Sequence, residues 1–312
     1  MPAENALIRA VPGIAHWRAY LELCKPKVVA LIVFTAMVGM LLAVPGAVPR
    51  CRSRQRSGSR SRRRPPPRST IVVDREADAR MKRTDRRPLP SGVLDTGRSV
   101  AFAAVLAALG MFVLAAGVNL LTAVLTFASM VGYAVIYTLY LKRATPQNIV
   151  IGGAAGAMPP VLGWAAVTGE VHPHALLLFL IVFVWTPPHF WALALHKRDE
   201  YARVDIPMLP VTHGEALTRL HILLYTVLLL VVTLLPYLAG MSGLVYLAAA
   251  LGFGGRFLQH TWRLWRRAPQ GQAMRTFVFS ITYLMGLFGA LLVDHYVNVL
   301  GASLSQGPAA GA

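Results

Sequence analysis

Acid is scarce in this chain, and so is cysteine. Its 312 residues carry 13 Asp and Glu against 31 Lys and Arg, and two cysteines, Cys24 and Cys51. Two cysteines give neither a disulfide framework nor metal-ligand spacing. Charge of both signs is thin, at 14% of residues, while 55% are hydrophobic and the mean hydropathy is +0.53. That balance excludes an ordinary soluble domain. What is present is a series of apolar runs of roughly 18 to 22 residues, the length a transmembrane helix needs. The expected fold is therefore all-α, a polytopic membrane helical bundle. Eight spans are predicted, near 28–44, 99–117, 121–141, 149–167, 174–195, 219–239, 241–259 and 276–297. They form one intramembrane domain, 28–297, between a polar lead, 1–27, and a tail, 298–312. The first apolar run begins only near Val28 after a mixed segment, so no cleavable leader is predicted.

One stretch breaks the pattern. Residues 50–70, RCRSRQRSGSRSRRRPPPRST, hold nine arginines, no lysine, no acid and almost nothing apolar. Removing those nine from the net charge of +18 leaves +9, ordinary for a membrane protein with basic cytoplasmic loops. Hydrocarbon would not accept this tract. Its Arg-, Ser- and Pro-rich composition predicts an unpacked loop.

The loop charges make the tract more telling. The loops 74–98, 142–148, 196–218 and 260–275 are basic, whereas the connections near 118, 168–173 and 240 carry no Lys or Arg. The alternation assigns the basic group to the cytoplasm. Eight spans would then put the basic N-terminus outside. A ninth span between residues 45 and 73 would return it to the cytoplasm. In a GC-rich gene, a helix of Ala, Gly and Leu codons read out of frame yields Arg, Pro and Ser. Residues 50–72 are therefore expected to be an out-of-frame second transmembrane helix. A genuine basic tract binding RNA or anionic lipid is the rival.

Polar chemistry gathers in three places. DREADARMKRTDRRPLP, residues 74–90, sets Asp74 and Asp78 four apart, one helical turn, ahead of Arg83, Arg86 and Arg87. Paired carboxylates beside arginines suit a divalent cation holding a phosphorylated ligand. A charged juxtamembrane loop with internal ion pairs fits equally. The second cluster is HFWALALHKRDEYARVDIPMLP, with His189 and His196 seven apart on one helix face, then Asp199, Glu200, Arg203 and Asp205. Both acidic clusters fall on the cytoplasmic side, where they can converge on one cavity and hold Mg²⁺. Taken alone, the acids are solvated loop charges and the histidines packed or interfacial. The third piece is YTLYLKRATPQNIVIGGAAGAMPPVLGW, residues 137–164. Here Lys142 and Arg143 end a span, Gly152, Gly153 and Gly156 permit close helix packing, and Pro159 and Pro160 break or kink the helix.

These stretches, with LCKPKVVALIVFTAMVGM near Cys24 and WTPPHFWALALHKRDEYARVDIPMLPVTHG, resemble the protohaem IX farnesyltransferases (haem O synthases) of the UbiA-type intramembrane prenyltransferase superfamily. The resemblance covers nearly all of residues 20–297. TDRRPLPSG and IPMLPV point to the haem branch. It implies nine transmembrane helices with a cytoplasmic N-terminus, in a bacterial inner membrane. The implied reaction transfers the farnesyl group of farnesyl diphosphate to a vinyl group of haem B, with addition of water, giving haem O.

The resemblance also implies the roles. Asp74, Asp78, Asp199 and Glu200 are the catalytic acids, with Mg²⁺ on Asp74, Asp78 and Asp199. Arg83, Arg87 and Lys142 bind the diphosphate. His189 and His196 are candidates for haem contact. The implied partners are farnesyl diphosphate, haem B and membrane lipid, with haem A synthase or an oxidase assembly factor downstream, and no nucleic acid. One position departs from the family. Its first motif is N-x-x-x-D-x-x-x-D, and here the Asn position is Thr70, which lacks the amide's carbonyl acceptor. If the tract is literal, little or no activity is expected. The alternatives are the same transfer to a quinone precursor or a chlorophyllide, a transporter or a non-catalytic haem-handling protein, and an inactive product.

Overall fold

The computed structural model describes residues 26–44, 96–134, 137, 144–203 and 206–305. Among these every regular element is helical: α1 Pro26–Leu42, α2 Thr96–Gly117, α3 Leu120–Val131, α4 Asn148–Ala157, α5 Pro159–Thr168, α6 Pro173–His196, α7 Arg198–Ala202, α8 Leu209–Thr212, α9 Gly214–Leu238, α10 Leu244–Arg266 and α11 Gln272–Ser305. Five helical stretches are long and apolar enough to cross a membrane: 99–117, 148–168, 173–196, 214–238 and 272–301. The chain is a multi-pass membrane protein. Each of the eight predicted apolar runs overlaps helix where it is described, the 121–141 run being described only to residue 134 and at 137. The 149–167 run is divided at Met158, where Pro159 and Pro160 open α5 in the first-turn positions that tolerate a missing N–H. The tract 50–72 lies outside the described residues, as do Asp74, Asp78, Arg83, Arg87 and Lys142.

Local chemistry sets the helix ends. α6 starts with His172 as N-cap, its Nδ1 accepting the amide of His174 at 3.2 Å, and with Pro173 in the first turn. α5 stops at Gly169, whose φ of 78° is the left-handed stop that glycine takes without strain. Asn119 caps α3 by accepting from the Thr122 amide and donates its own amide to Ala165 O, both at 2.8 Å. That one side chain ties α3 to α5.

α6 is the axis of the bundle. It packs against α4, α5, α9 and α11, while α1 leans on α5 and α11, and α9, α10 and α11 complete the body. The core along it includes Leu178, Ile181, Trp185, Tyr246, Phe257 and Tyr283. A second, smaller core sits at one end, where Ile206, Met208 and Leu209 close over Trp191 and Ile222. The closest crossing is α1 on α5. A Cβ on Gly39 would collide with the carbonyl oxygen of Pro160, and one on Gly163 with that of Ala36. Small residues at such crossings let backbones approach where hydrophobic force between helices is absent. Of the three glycines expected to serve packing, Gly152 abuts the Tyr137 ring and Gly153 the Thr186 side chain, while Gly156 faces open space.

Candidate active site

The IPMLP segment positions the second acidic cluster. Ile206, Met208 and Leu209 are buried at the end of the bundle, and the amide of Ile206 bonds to Tyr201 O at 3.3 Å. This apolar plug pins the short helix α7, whose first turn carries Asp199 and Glu200. Asp199 is exposed. Glu200 accepts from Lys197 Nζ at 2.7 Å, and Glu215 of α9 draws Arg198 (3.4 Å) and Arg219 (3.8 Å). Asp199 thus keeps a carboxylate that no ion pair engages among the described residues. Its hard oxygens suit Mg²⁺, whereas Glu200 would have to exchange its ammonium partner to join it. Among the described residues no three metal-ligating side chains cluster.

The two histidines share a helix face but not an environment. His196 closes α6 and is exposed. His189 lies two turns deeper, about 10 Å along the axis, and is buried. Its ring is sandwiched between Trp185 (centroids 4.2 Å apart, 20° between planes) and Phe277 (4.5 Å, 27°). Its Nδ1 is 2.6 Å from Ser280 Oγ, while that hydroxyl donates to Phe277 O, also at 2.6 Å. A serine has one proton to give, and the Phe277 carbonyl can only accept it. Nδ1 must therefore be the donor to Ser280 Oγ. Neutral His189 is held as the Nδ1–H tautomer, and the lone pair resides on Nε2. Trp185 Nε1 donates to Ser280 O at 2.8 Å and completes the clamp between α6 and α11.

More buried polarity lies alongside. Thr186 returns its hydroxyl to Val182 O at 2.8 Å, and Asn148 at the head of α4 is fully buried. Pro187 and Pro188 inside α6 cannot bond to the carbonyls one turn earlier, a break in the ladder that membrane helices accept only inside protein. Sequence reasoning named His189 but not Ser280, Trp185 or Asn148. A signal existed for Trp185, which lies four residues before His189, one turn above it. None existed for Ser280, 91 residues away.

Residues 71–293 match the model of the UbiA prenyltransferase family. The match begins at the trailing edge of the arginine tract. Among curated proteins the chain is 62% identical to the Protoheme IX farnesyltransferase of Methylococcus capsulatus, covering 91% of this chain and 96% of that protein. It is 55% identical to the enzyme of the same name from Shewanella pealeana, covering 96% and 100%. Among solved structures it resembles digeranylgeranylglyceryl phosphate synthase with a TM-score of 0.69 at 18% identity, over 90% of this chain and 99% of that one. A UbiA homolog from Aeropyrum pernix K1 follows with a TM-score of 0.58 at 16% identity, over 86% and 88%. At such low identity the two structures speak for the fold alone. From the family model and the extent of the curated matches, this chain belongs to the UbiA prenyltransferase family.

Proposed function

We propose that this chain transfers the farnesyl group of farnesyl diphosphate to a vinyl group of haem B, making haem O. The observation that carries the reading is the 62% identity over 91% of the chain to an enzyme of that name. TDRRPLPSG and IPMLPV belong to the same stretches that suggested the haem branch.

Asp199 on α7, with Asp74 and Asp78, would hold Mg²⁺, with Glu200 joining once it gives up Lys197; when bound, the ion neutralises the charge that builds on the leaving diphosphate. Arg83, Arg87 and Lys142 take up the remaining negative charge. Breaking the allylic C–O bond sends its electron pair to the diphosphate and leaves an electron-poor farnesyl carbon. The haem vinyl attacks that carbon, water adds to the cation formed on the porphyrin side, and a proton is lost. The apolar helices keep other water from the farnesyl carbon. His189 is the better haem contact of the two histidines, because its clamp leaves the Nε2 lone pair free to meet the iron or to accept a proton. His196, exposed at the mouth, is an entry contact. The cytoplasmic placement of the acidic loops rests on the distribution of Lys and Arg, and the bacterial inner membrane on the resemblance to the family.

A second reading concerns this chain alone. Residues 50–72 are the product of a shifted frame, and the protein with Thr70 at the motif Asn position is impaired until the frame is restored. The coding DNA tests this directly: no apolar run in another frame across codons 45–74 removes the idea. The activity is tested by producing the frame-restored chain in a host that makes no haem O. Haem O should accumulate, and Asp74→Ala or Asp78→Ala should abolish it. Undiminished haem O in both variants overturns the metal–diphosphate role. Prenylation of an aromatic acceptor in place of haem overturns the haem assignment.

A further inference from the structure

The proposed reaction leaves unused the arginines on α10 and at the start of α11. One face of α10 is packed, through Tyr246, Gly254, Phe257 and Leu264. The opposite side exposes Arg256, Gln259, Trp262 and Arg263. Arg256 lies ten residues before the end of the helix, about 15 Å along its axis, within the predicted 241–259 span. A guanidinium beside hydrocarbon is costly unless it is paired or reaches the interface. Among the described residues Arg256 finds one partner, the neutral amide oxygen of Gln259. Of its five donors, most remain unspent.

Arg256 is not alone. Three arginines bear electrostatically on His260: Arg256 and Arg263 from α10, and Arg275 from α11. Among the described residues no carboxylate pairs with any of them. His260 is itself fixed, stacked on Phe279 (4.7 Å, 19°), with its carbonyl accepting from Gln272 Nε2 at 3.1 Å. Beside Arg256 opens a groove of about 380 Å³ lined by Ala249, Gly252, Phe253 and Phe279. Toward the helix end, the Arg266 guanidinium lies 5.3 Å from the ring centroids of both Trp262 and Trp265. Such aromatic and basic residues mark a membrane–water boundary.

We propose that this face of α10 binds an anionic phospholipid of the cytoplasmic leaflet, its phosphate on Arg256, Arg263 and Arg275 and one acyl chain in the groove over Gly252. Charge and shape point to the same occupant. Three guanidiniums with no carboxylate partner among the described residues call for a phosphate, which arginine grips with paired charge-assisted bonds. A soluble phosphate would leave the apolar groove empty, and a neutral lipid would leave the cations unmatched. The lipid would join α10 to α11 from outside, since its phosphate contacts come from both helices.

The test uses the full chain in phosphatidylcholine vesicles doped with brominated phosphatidylglycerol. Bromine quenches nearby indoles, so Trp262 and Trp265 report occupancy. Half-quenching is expected at a several-fold lower fraction of brominated phosphatidylglycerol than of brominated phosphatidylcholine. The double variant Arg256→Gln/Arg263→Gln should erase that preference. Gly252→Leu should reduce it while every charge stays, since a Cβ there meets nothing within 4 Å. Equal quenching by the two lipids in the unaltered protein, or a preference that survives in both variants, overturns the proposal. Displacement of the lipid by farnesyl diphosphate or by inorganic phosphate overturns the phospholipid as occupant and reassigns the site to that anion.

Discussion

The α2–α3 pair and the α6 axis are both apolar, yet they live in different surroundings. In the most apolar window of α2, 6% of residues are buried, against 61% in α6. α2 rests mainly on α3, and Phe112 and Leu120 are 70% exposed around a shallow groove between them. α6 is buried over most of its length, with Leu176 and Phe190 left exposed, and threads Thr186, His189 and the backbone break at Pro187–Pro188 through its buried part. Hydrophobicity alone therefore does not mark a core in this protein. In a membrane, lipid covers an apolar helix as readily as another helix does. What separates the two regions is small residues at crossings and paired polar groups, which α6 and its neighbours have in number.

The sharpest way to break this comparison is to place one bulky side chain in each region. Gly163→Leu drives a side chain into the backbone of α1, where the carbonyl of Ala36 already meets the position of a Cβ. The expected outcome is loss of about 3 kcal/mol or more, read as a collapse in the yield of monodisperse protein in detergent. Gly110→Leu on α2 meets nothing within 4 Å and should leave that yield unchanged. Equal damage from both would erase the distinction.

The next effect concerns Asp294, which lies near the C-terminal end of the predicted 276–297 span. α11 instead continues to Ser305, and Asp294 is buried inside the body. Its carboxylate accepts from the Gly243 and Tyr246 amides and from Asn298 Nδ2. It caps the N-terminus of α10 from a different helix, where a negative charge also suits the helix dipole. Asp294→Ala strands the buried amide of Tyr246 and the part-buried amide of Gly243 and should cost about 1–3 kcal/mol, measured by unfolding in mixed micelles. Asp294→Asn, which keeps one acceptor, should recover part of the loss.

A smaller effect is expected at Ser280. Ser280→Ala removes the acceptor of the His189 proton and should cost about 1–2 kcal/mol. It also frees the imidazole to change tautomer. Titrating haem B into the two proteins should give different Soret spectra if His189 contacts the iron. Identical spectra would remove His189 from the haem site.

The smallest concerns α2 in the chain as it stands. In a Cys24→Ser/Cys51→Ser background, Leu109→Cys, at a position 56% exposed, should alter stability by no more than about 0.5 kcal/mol and react with a lipid-soluble thiol reagent. If residues 50–72 are the proposed out-of-frame helix, restoring the frame would supply an apolar segment that can cover this face, and labelling should then fall. Unchanged labelling would place the restored segment elsewhere.

How far the sequence reached can be judged residue by residue. Apolar runs located the described apolar helices, five stretches of which are long and apolar enough to cross a membrane, and the Pro159–Pro160 pair gave the break between α4 and α5, because both follow from backbone chemistry within a few residues. Asp199 and Glu200 were found as acids but not as unequal ones. Lys197 neutralises Glu200 from three residues away, leaving Asp199 open, and only side-chain placement decides which carboxylate a nearby lysine takes. Gly156 was expected to serve packing and does not, while Gly39 and Gly163 do so unannounced. A glycine's use depends on which backbone arrives opposite it, and that backbone comes from more than a hundred residues away.

By itself the sequence determined a helical membrane chain and the alternation of its basic and neutral loops. These follow from composition, period and the cost of charge in hydrocarbon. Tertiary structure decided that His189 is clamped with its lone pair on Nε2 while His196, on the same face of the same helix, stands in the open. It decided as well that Asp294 caps a neighbouring helix and that Arg256 meets no carboxylate among the described residues. The physical reason is common to all three. The free energy of a polar group in a membrane depends on the partner it meets, and here each partner is set by how distant helices pack.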